Sequence, residues 1–325
     1  MKKTNLSAIL VATFLGVAAE AEQSTKIPSI GYLEGGPLSA HTARMEAFRQ
    51  GLRKLGYEEG TSIVIEWRFA DGKPDRLPGI AAELLRLNVA VIVTGGGTPT
   101  RAAKEATATV PIVMAQHNDP VASGIVASLS HPGGNITGLS TFTPELSGKR
   151  LEILREVVPK LSRVAVFGNF KTSTNQAVMR EMDTAAHTFG MKLQLIDVQD
   201  DKDVGTGFRA ATKASAQALL TVPSVVLVAA RAQVVALAAK NRLPGSYYNS
   251  QFADVGGLMF YGVNVLDLDR RAATYVDKIL KGTKPADLPV EQPMKFDFVV
   301  NLKAAKQIGL TIPPNVLVRA TRVIR

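Results

Sequence analysis

The side chains best placed to do chemistry in this sequence stand just after short apolar runs. Val89-Ala-Val-Ile-Val93 leads into Thr94-Gly95-Gly96-Gly97-Thr98-Pro99. A glycine loop that opens a helix offers unpaired backbone N–H groups and the positive end of the helix dipole, which suits a carboxylate or a phosphate. Gly95 and Gly97 match the first half of a Gly-x-Gly-x-x-Gly fingerprint, but Thr100 occupies the place of the third glycine, and no Gly-Lys-Ser/Thr follows. Two readings remain open at this level: an anion-binding loop and a tight strand-to-helix turn with nothing bound.

Catalytic constellations are thin. The four histidines are His41, His117, His131 and His187; of these only His117, two residues before Asp119, stands beside a strand end. No further cluster of histidines or carboxylates accompanies it. The sequence has no cysteine, which removes thiol nucleophiles, disulfides, zinc–thiolate sites and a lipid-anchor acceptor. It also has no Gly-x-Ser-x-Gly elbow and no His-Glu-x-x-His. We therefore expect no catalytic residue, no metal and no cofactor.

The compartment is read from the N-terminus. Lys2 and Lys3 precede an apolar run, Leu6 to Val17, and Ala19-Glu20-Ala21 supplies a small-x-small cleavage pattern. A membrane span needs about 20 apolar residues, more than this run holds. Residues 1–21 are expected to be a cleaved signal peptide, with the mature chain in the periplasm and not lipid-anchored. The formal charge of +10 invites a nucleic-acid reading. However, Arg44, Arg49, Arg53 and Lys54 are spread at helical spacing, so solvated faces account for them and no nucleic-acid partner is expected.

The elements that must position these residues follow a strand–helix rhythm. Met45, Phe48, Leu52 and Leu55 recur at helical spacing, with Gly56 at a C-terminal cap, and the joint repeats at Phe189-Gly190. Such alternation predicts an α/β fold with two doubly wound parallel-sheet lobes. In open α/β sheets, ligands sit outside the carboxyl ends of the strands. That rule selects Glu34, Gly35, Gly97, Thr98, Asn118 and Asp119 from the first half. It selects Asn169, Thr174, Ser224, Tyr248 and Asn264 from the second, the last near a crossover. Asp119, in Asn-Asp-Pro-Val, also reads as a cap.

Several motifs in fixed order resemble one family. Lys284-Pro-Ala-Asp-Leu-Pro-Val290, Phe296-Asp-Phe-Val-Val-Asn-Leu-Lys-Ala-Ala-Lys306 and Gly309-Leu-Thr-Ile-Pro-Pro314 carry most of the match. Phe48-Arg-Gln-Gly-Leu-Arg-Lys-Leu-Gly-Tyr57, Asn118-Asp-Pro-Val121, Pro132-Gly-Gly-Asn-Ile-Thr-Gly138 and Gly256-Gly-Leu-Met-Phe-Tyr-Gly262 agree. Together they resemble the bacterial ABC transporter substrate-binding proteins that include the tryptophan binders. The resemblance implies a type I periplasmic-binding fold whose lobes are joined by a three-crossover hinge. One lobe would be 22–143 plus 258–284, the other 144–257 plus 285–325. It further implies a small-molecule ligand, either an amino acid, aromatic or otherwise, or a small carboxylate. The partners would be an inner-membrane ABC permease and its ATPase. We expect a monomer. Relatives commonly carry an acid where Ser224 stands, so either the ligand lacks an amine or its ammonium would have to find another acid such as Glu34 or Asp119. A secreted α/β enzyme and a periplasmic sensor subunit are the alternative readings.

Overall fold

The computed structural model describes residues 27–142, 144–171 and 173–325, without the side chains of Ser173 and Thr174. The expected signal peptide, 1–21, lies outside the described residues. The first half runs β1 (Ser29–Glu34), α1 (Thr42–Lys54), β2 (Val64–Phe69), α2 (Leu77–Arg86), β3 (Val91–Gly95), α3 (Gly97–Ala106), β4 (Ile112–His117) and β5 (Ile136–Ser140). The second half begins with α4 (Glu145–Val157), β6 (Arg163–Gly168), α5 (Ser173–Phe189), β7 (Lys192–Asp197), α6 (Asp201–Lys213) and β8 (Ala218–Thr221). It continues with α7 (Val225–Ala229), α8 (Arg231–Lys240), β9 (Gly245–Tyr247), α9 (Gln251–Asp254) and β10 (Met259–Val263). The chain ends through α10 (Val265–Leu280), β11 (Phe296–Asn301), α11 (Leu302–Gln307), α12 (Pro314–Leu317) and β12 (Arg322–Ile324).

Two sheets form, in the orders β2-β1-β3-β4-β5 and β12-β11-β10-β9-β8-β6-β7. The first is parallel throughout, whereas in the second β11 runs antiparallel to β10. Each sheet is covered on both faces, which is why its strands read as continuous apolar runs. Tyr32, Val93 and Val113 pack beneath Phe48 of α1 and Ala272 and Val276 of α10, while Leu33, Ile92 and Met114 face Leu77 and Leu84 of α2. In the second lobe Val164, Val166 and Leu220 meet Leu154 of α4 and Met182 of α5; Phe167 and Leu219 meet Phe208 of α6 and Val234 of α8.

The chain passes between the sheets three times, and two boundaries differ from those expected. β10 belongs to the second sheet, since Met259 and Phe260 pair with Ser246 and Tyr247 of β9. The passage to the first lobe therefore falls at Asn264 and not at 258. The return also comes later than 285. Leu288 and Val290 are buried in the first lobe's core, and the Glu291 N–H donates to Gly138 O at 3.0 Å. Apolar runs alone do not show which sheet a strand joins.

Candidate functional site

The carboxyl ends of β4, β5, β8 and β9 meet β10 and the start of α10 around a cavity of about 160 Å³. Gln116, Asn118, Thr141 and Phe142 line it from the first lobe's strand ends and the first crossing. Pro144, Leu146, Ser147 and Arg150 come from α4 and the residue before it, and Val178 from α5. Pro223, Tyr248, Asn249 and Ser250 follow β8 and β9, while Phe260, Val263 and Val265 lie at the second crossing. Both lobes and two of the crossings thus contribute to one wall.

Among the described residues Arg150 is the only charged side chain in this lining, and it is 6% exposed. Its Nε donates to Tyr261 O at 2.8 Å and its Nη1 to Ser147 Oγ at 3.4 Å. Among the described residues no carboxylate lies within ion-pair distance of it. Burial pushes its guanidinium down to about 10, so it stays cationic at neutral pH. Arg150 escaped the strand-end rule because it sits inside a helix. A signal for it does exist in the sequence. Leu146, Arg150 and Leu154 recur every four residues, which puts a cation on the apolar stripe of α4.

A second charge cluster backs the first lobe's part of the wall. Arg44 reaches Asp269 through Nε at 2.9 Å and Nη2 at 3.0 Å, and its Nη1 lies 2.8 Å from Glu34 Oε1. The Tyr32 hydroxyl donates to Asp269 Oδ1 at 3.0 Å. With its amide oxygen toward Arg44, Gln116 accepts from Nη1 and Nη2 at 2.9 and 3.1 Å. Arg44 therefore orients a cavity-lining amide while two buried acids balance its charge. Burial pushes the Glu34 carboxyl up to about 7, against the pull of Arg44.

Of the residues selected from strand ends, Asn118 and Tyr248 line the cavity. Asn118 Oδ1 accepts from Thr141 Oγ1 at 3.0 Å. The Tyr248 hydroxyl accepts from Ser224 N and donates to Ser224 O, both at 3.0 Å. The others have different surroundings. Glu34 is in the Arg44 cluster. Gly95 and Gly97 leave room for neighbouring side chains: a Cβ at Gly95 would collide with Glu34, and one at Gly97 would lie 3.2 Å from His117 Nε2. Gly35 adjoins Pro99, and Thr98 is exposed on the first turn of α3. Asp119 Oδ1 accepts from Ala122 N at 2.9 Å, Ser224 Oγ from Leu227 N at 3.3 Å and Asn264 Oδ1 from Asp267 N at 2.8 Å. Those three side chains cap turns and helices. Asn169 Oδ1 accepts from Lys171 N at 3.0 Å and Asn169 is not among the residues that line the cavity, while the Thr174 side chain lies outside the described residues.

His117 gives a pH-dependence with a definite sign. It is buried, its Nδ1 has no hydrogen-bond partner among the described residues, and burial pushes it down to about 4 although Asp119 opposes this. Between about 6.5 and 4 the unfolded chain therefore carries a proton on His117 that the folded chain refuses, and stability falls as the pH falls through that window. Relative to a His117→Gln variant, the wild type should lose on the order of 2 kcal/mol between pH 6.5 and pH 5. Urea unfolding at the two pH values measures it; parallel losses in both proteins would show that His117 is not the group.

Comparisons with known proteins agree with this architecture. The sequence profile of the family described as ABC transporter substrate binding protein matches residues 37–324. A tyrosine-binding protein of Clostridioides difficile is 24% identical over 270 residues, which cover 82% of this chain and 76% of that protein. A conserved domain protein of Vibrio cholerae superposes with a TM-score of 0.79 at 27% identity, covering 92% of this chain and 100% of that one. An ABC domain from Streptococcus pneumonia in complex with L-Trp has a TM-score of 0.79 at 22% identity, covering 91% and 99%. Among the described residues, no helix is long and apolar enough to cross a membrane.

Proposed function

This chain belongs to the ABC transporter substrate-binding protein family, and from that membership we propose that it captures a small organic solute between its lobes and delivers it to an inner-membrane permease and ATPase. The observation that carries this reading is the cavity at the crossings, whose wall is assembled from both sheets. A solute held there touches both lobes only when they are closed. It therefore favours closure by its greater affinity for that state, and the transporter reads loaded from empty by shape. The signal-peptide pattern at 1–21 supports delivery in the periplasm. Among the described residues the lining holds hydrogen-bonding amides, hydroxyls and one cation, without a nucleophile–base pair, which favours binding over turnover.

Two measurements test the reading. Intact-mass analysis of the exported protein should find a mature chain starting at Glu22. Small-angle scattering should find a smaller radius of gyration once a solute from a thermal-shift screen is saturating. At a hundredfold excess over the dissociation constant, that solute should add about 2.7 kcal/mol of stability. An unchanged radius together with consumption of the compound would favour a secreted enzyme.

A further inference from the structure

Arg150 poses an electrostatic problem that nothing in the described part of the protein solves. A buried cation is tolerated when an anion and hydrogen bonds compensate for lost hydration. Here a backbone carbonyl and a serine hydroxyl engage Nε and Nη1, and Nη2 has no hydrogen-bond partner among the described residues. The side chain is more than nine-tenths buried and lines the cavity. The two other buried arginine–acid contacts near the site are closed: Asp269 and Glu34 already belong to Arg44.

From this arrangement we propose that the ligand is a small organic anion without an amine, whose carboxylate pairs with Arg150. The inference rests on the solute-binding reading and narrows it to a ligand class. Charge balance carries the argument. A carboxylate beside Arg150 leaves the cavity neutral. An α-amino acid adds an ammonium as well, so the site keeps a net positive charge, and among the described residues no Asp or Glu lines the cavity to offset it. Ser224, next to the cavity-lining Pro223, uses its hydroxyl to cap α7 and brings no negative charge. Size and lining set the body of the ligand. Phe142, Leu146, Val178, Phe260 and Val263 form apolar surface, and a cavity of about 150 Å³ accommodates benzene, so a single ring or a short alkyl chain fits.

The test uses matched pairs with the mature protein: phenylacetate against phenylglycine, and 3-phenylpropionate against phenylalanine. Each pair differs by one ammonium. Calorimetric titration should find the acid of at least one pair binding about tenfold or more tightly than its amino-acid partner. The neutral 3-phenylpropionamide should bind more weakly than 3-phenylpropionate. Arg150→Gln should weaken the bound acid by about a hundredfold, and Arg150→Lys, which keeps the charge, by less. The wild-type pairs decide the matter even if a variant folds poorly. An amino acid binding as tightly as its amine-free partner, or an amide equal to its acid, overturns the anion assignment while leaving solute capture intact. Turnover of a bound acid without lobe closure would instead count against solute capture itself.

Discussion

Replacing Asp269 by alanine is expected to cost about 3–5 kcal/mol of folding stability, because it strips the principal counter-ion from a buried arginine. Asp269 is fully buried and accepts from Arg44 Nε and Nη2 and from the Tyr32 hydroxyl. Without it, Arg44 and Tyr32 are left facing a methyl group, and among the described residues Glu34 is the one acid still beside Arg44. The variant should therefore ionise Glu34 more readily, since a carboxyl raised to about 7 by burial becomes the sole balance for the cation. The effect should also reach the ligand. Gln116 is held by Arg44 and lines the cavity, so an Asp269→Ala protein that still folds should bind its solute more weakly. Urea unfolding followed on the single tryptophan, Trp67, reports this lobe, because that ring packs 4.8 Å from Tyr32. A loss below about 1 kcal/mol would mean that the pair is worth no more than an exposed salt bridge.

Gly51→Leu is expected to cost about 3 kcal/mol, at the upper end of what overpacking does. Gly51 is buried in α1 against α10; a Cβ there would collide with the Arg270 carbonyl and lie 2.8 Å from Ala273 Cβ. Neither neighbour can swing aside, since one is backbone and the other has no rotamers. The helices must separate, and α10, which begins at Val265 in the cavity wall, must move with them. Stability and ligand affinity should fall together. Gly79 in α2 provides the contrast. A Cβ there meets open space, so Gly79→Ala should gain about 0.5–1 kcal/mol through helix propensity. If Gly51→Ala behaved like Gly79→Ala, close approach of α1 and α10 would not be the constraint.

The architecture was legible because it is written in local periodicity. Buried strands such as Val89 to Val93, helical stripes such as Met45, Phe48 and Leu52, and the caps at Gly56 and Gly190 are each set within a dozen residues. Both glycines adopt the left-handed backbone expected of a cap, with φ of 88° and 66°. The site was legible only in part, for two physical reasons. First, a polar residue just after a strand serves equally as a helix cap or a ligand contact, because both tasks need a short oxygen or amide at the same place. Asp119, Ser224 and Asn264 are occupied by backbone N–H groups, whereas Asn118 and Tyr248 reach the cavity. Second, the surroundings of Arg150 depend on elements far apart in the chain. Its charge and helical position were present in the sequence, but its burial against Tyr261 and its lack of an acid among the described residues arise only when β10 packs beside α4. By itself the sequence determined the layers, their helices and the strand ends that any cleft would use. The tertiary structure decided which of those ends converge, where the chain crosses between lobes, and which buried cation lacks a partner, because each of these depends on contacts that close only when distant segments pack.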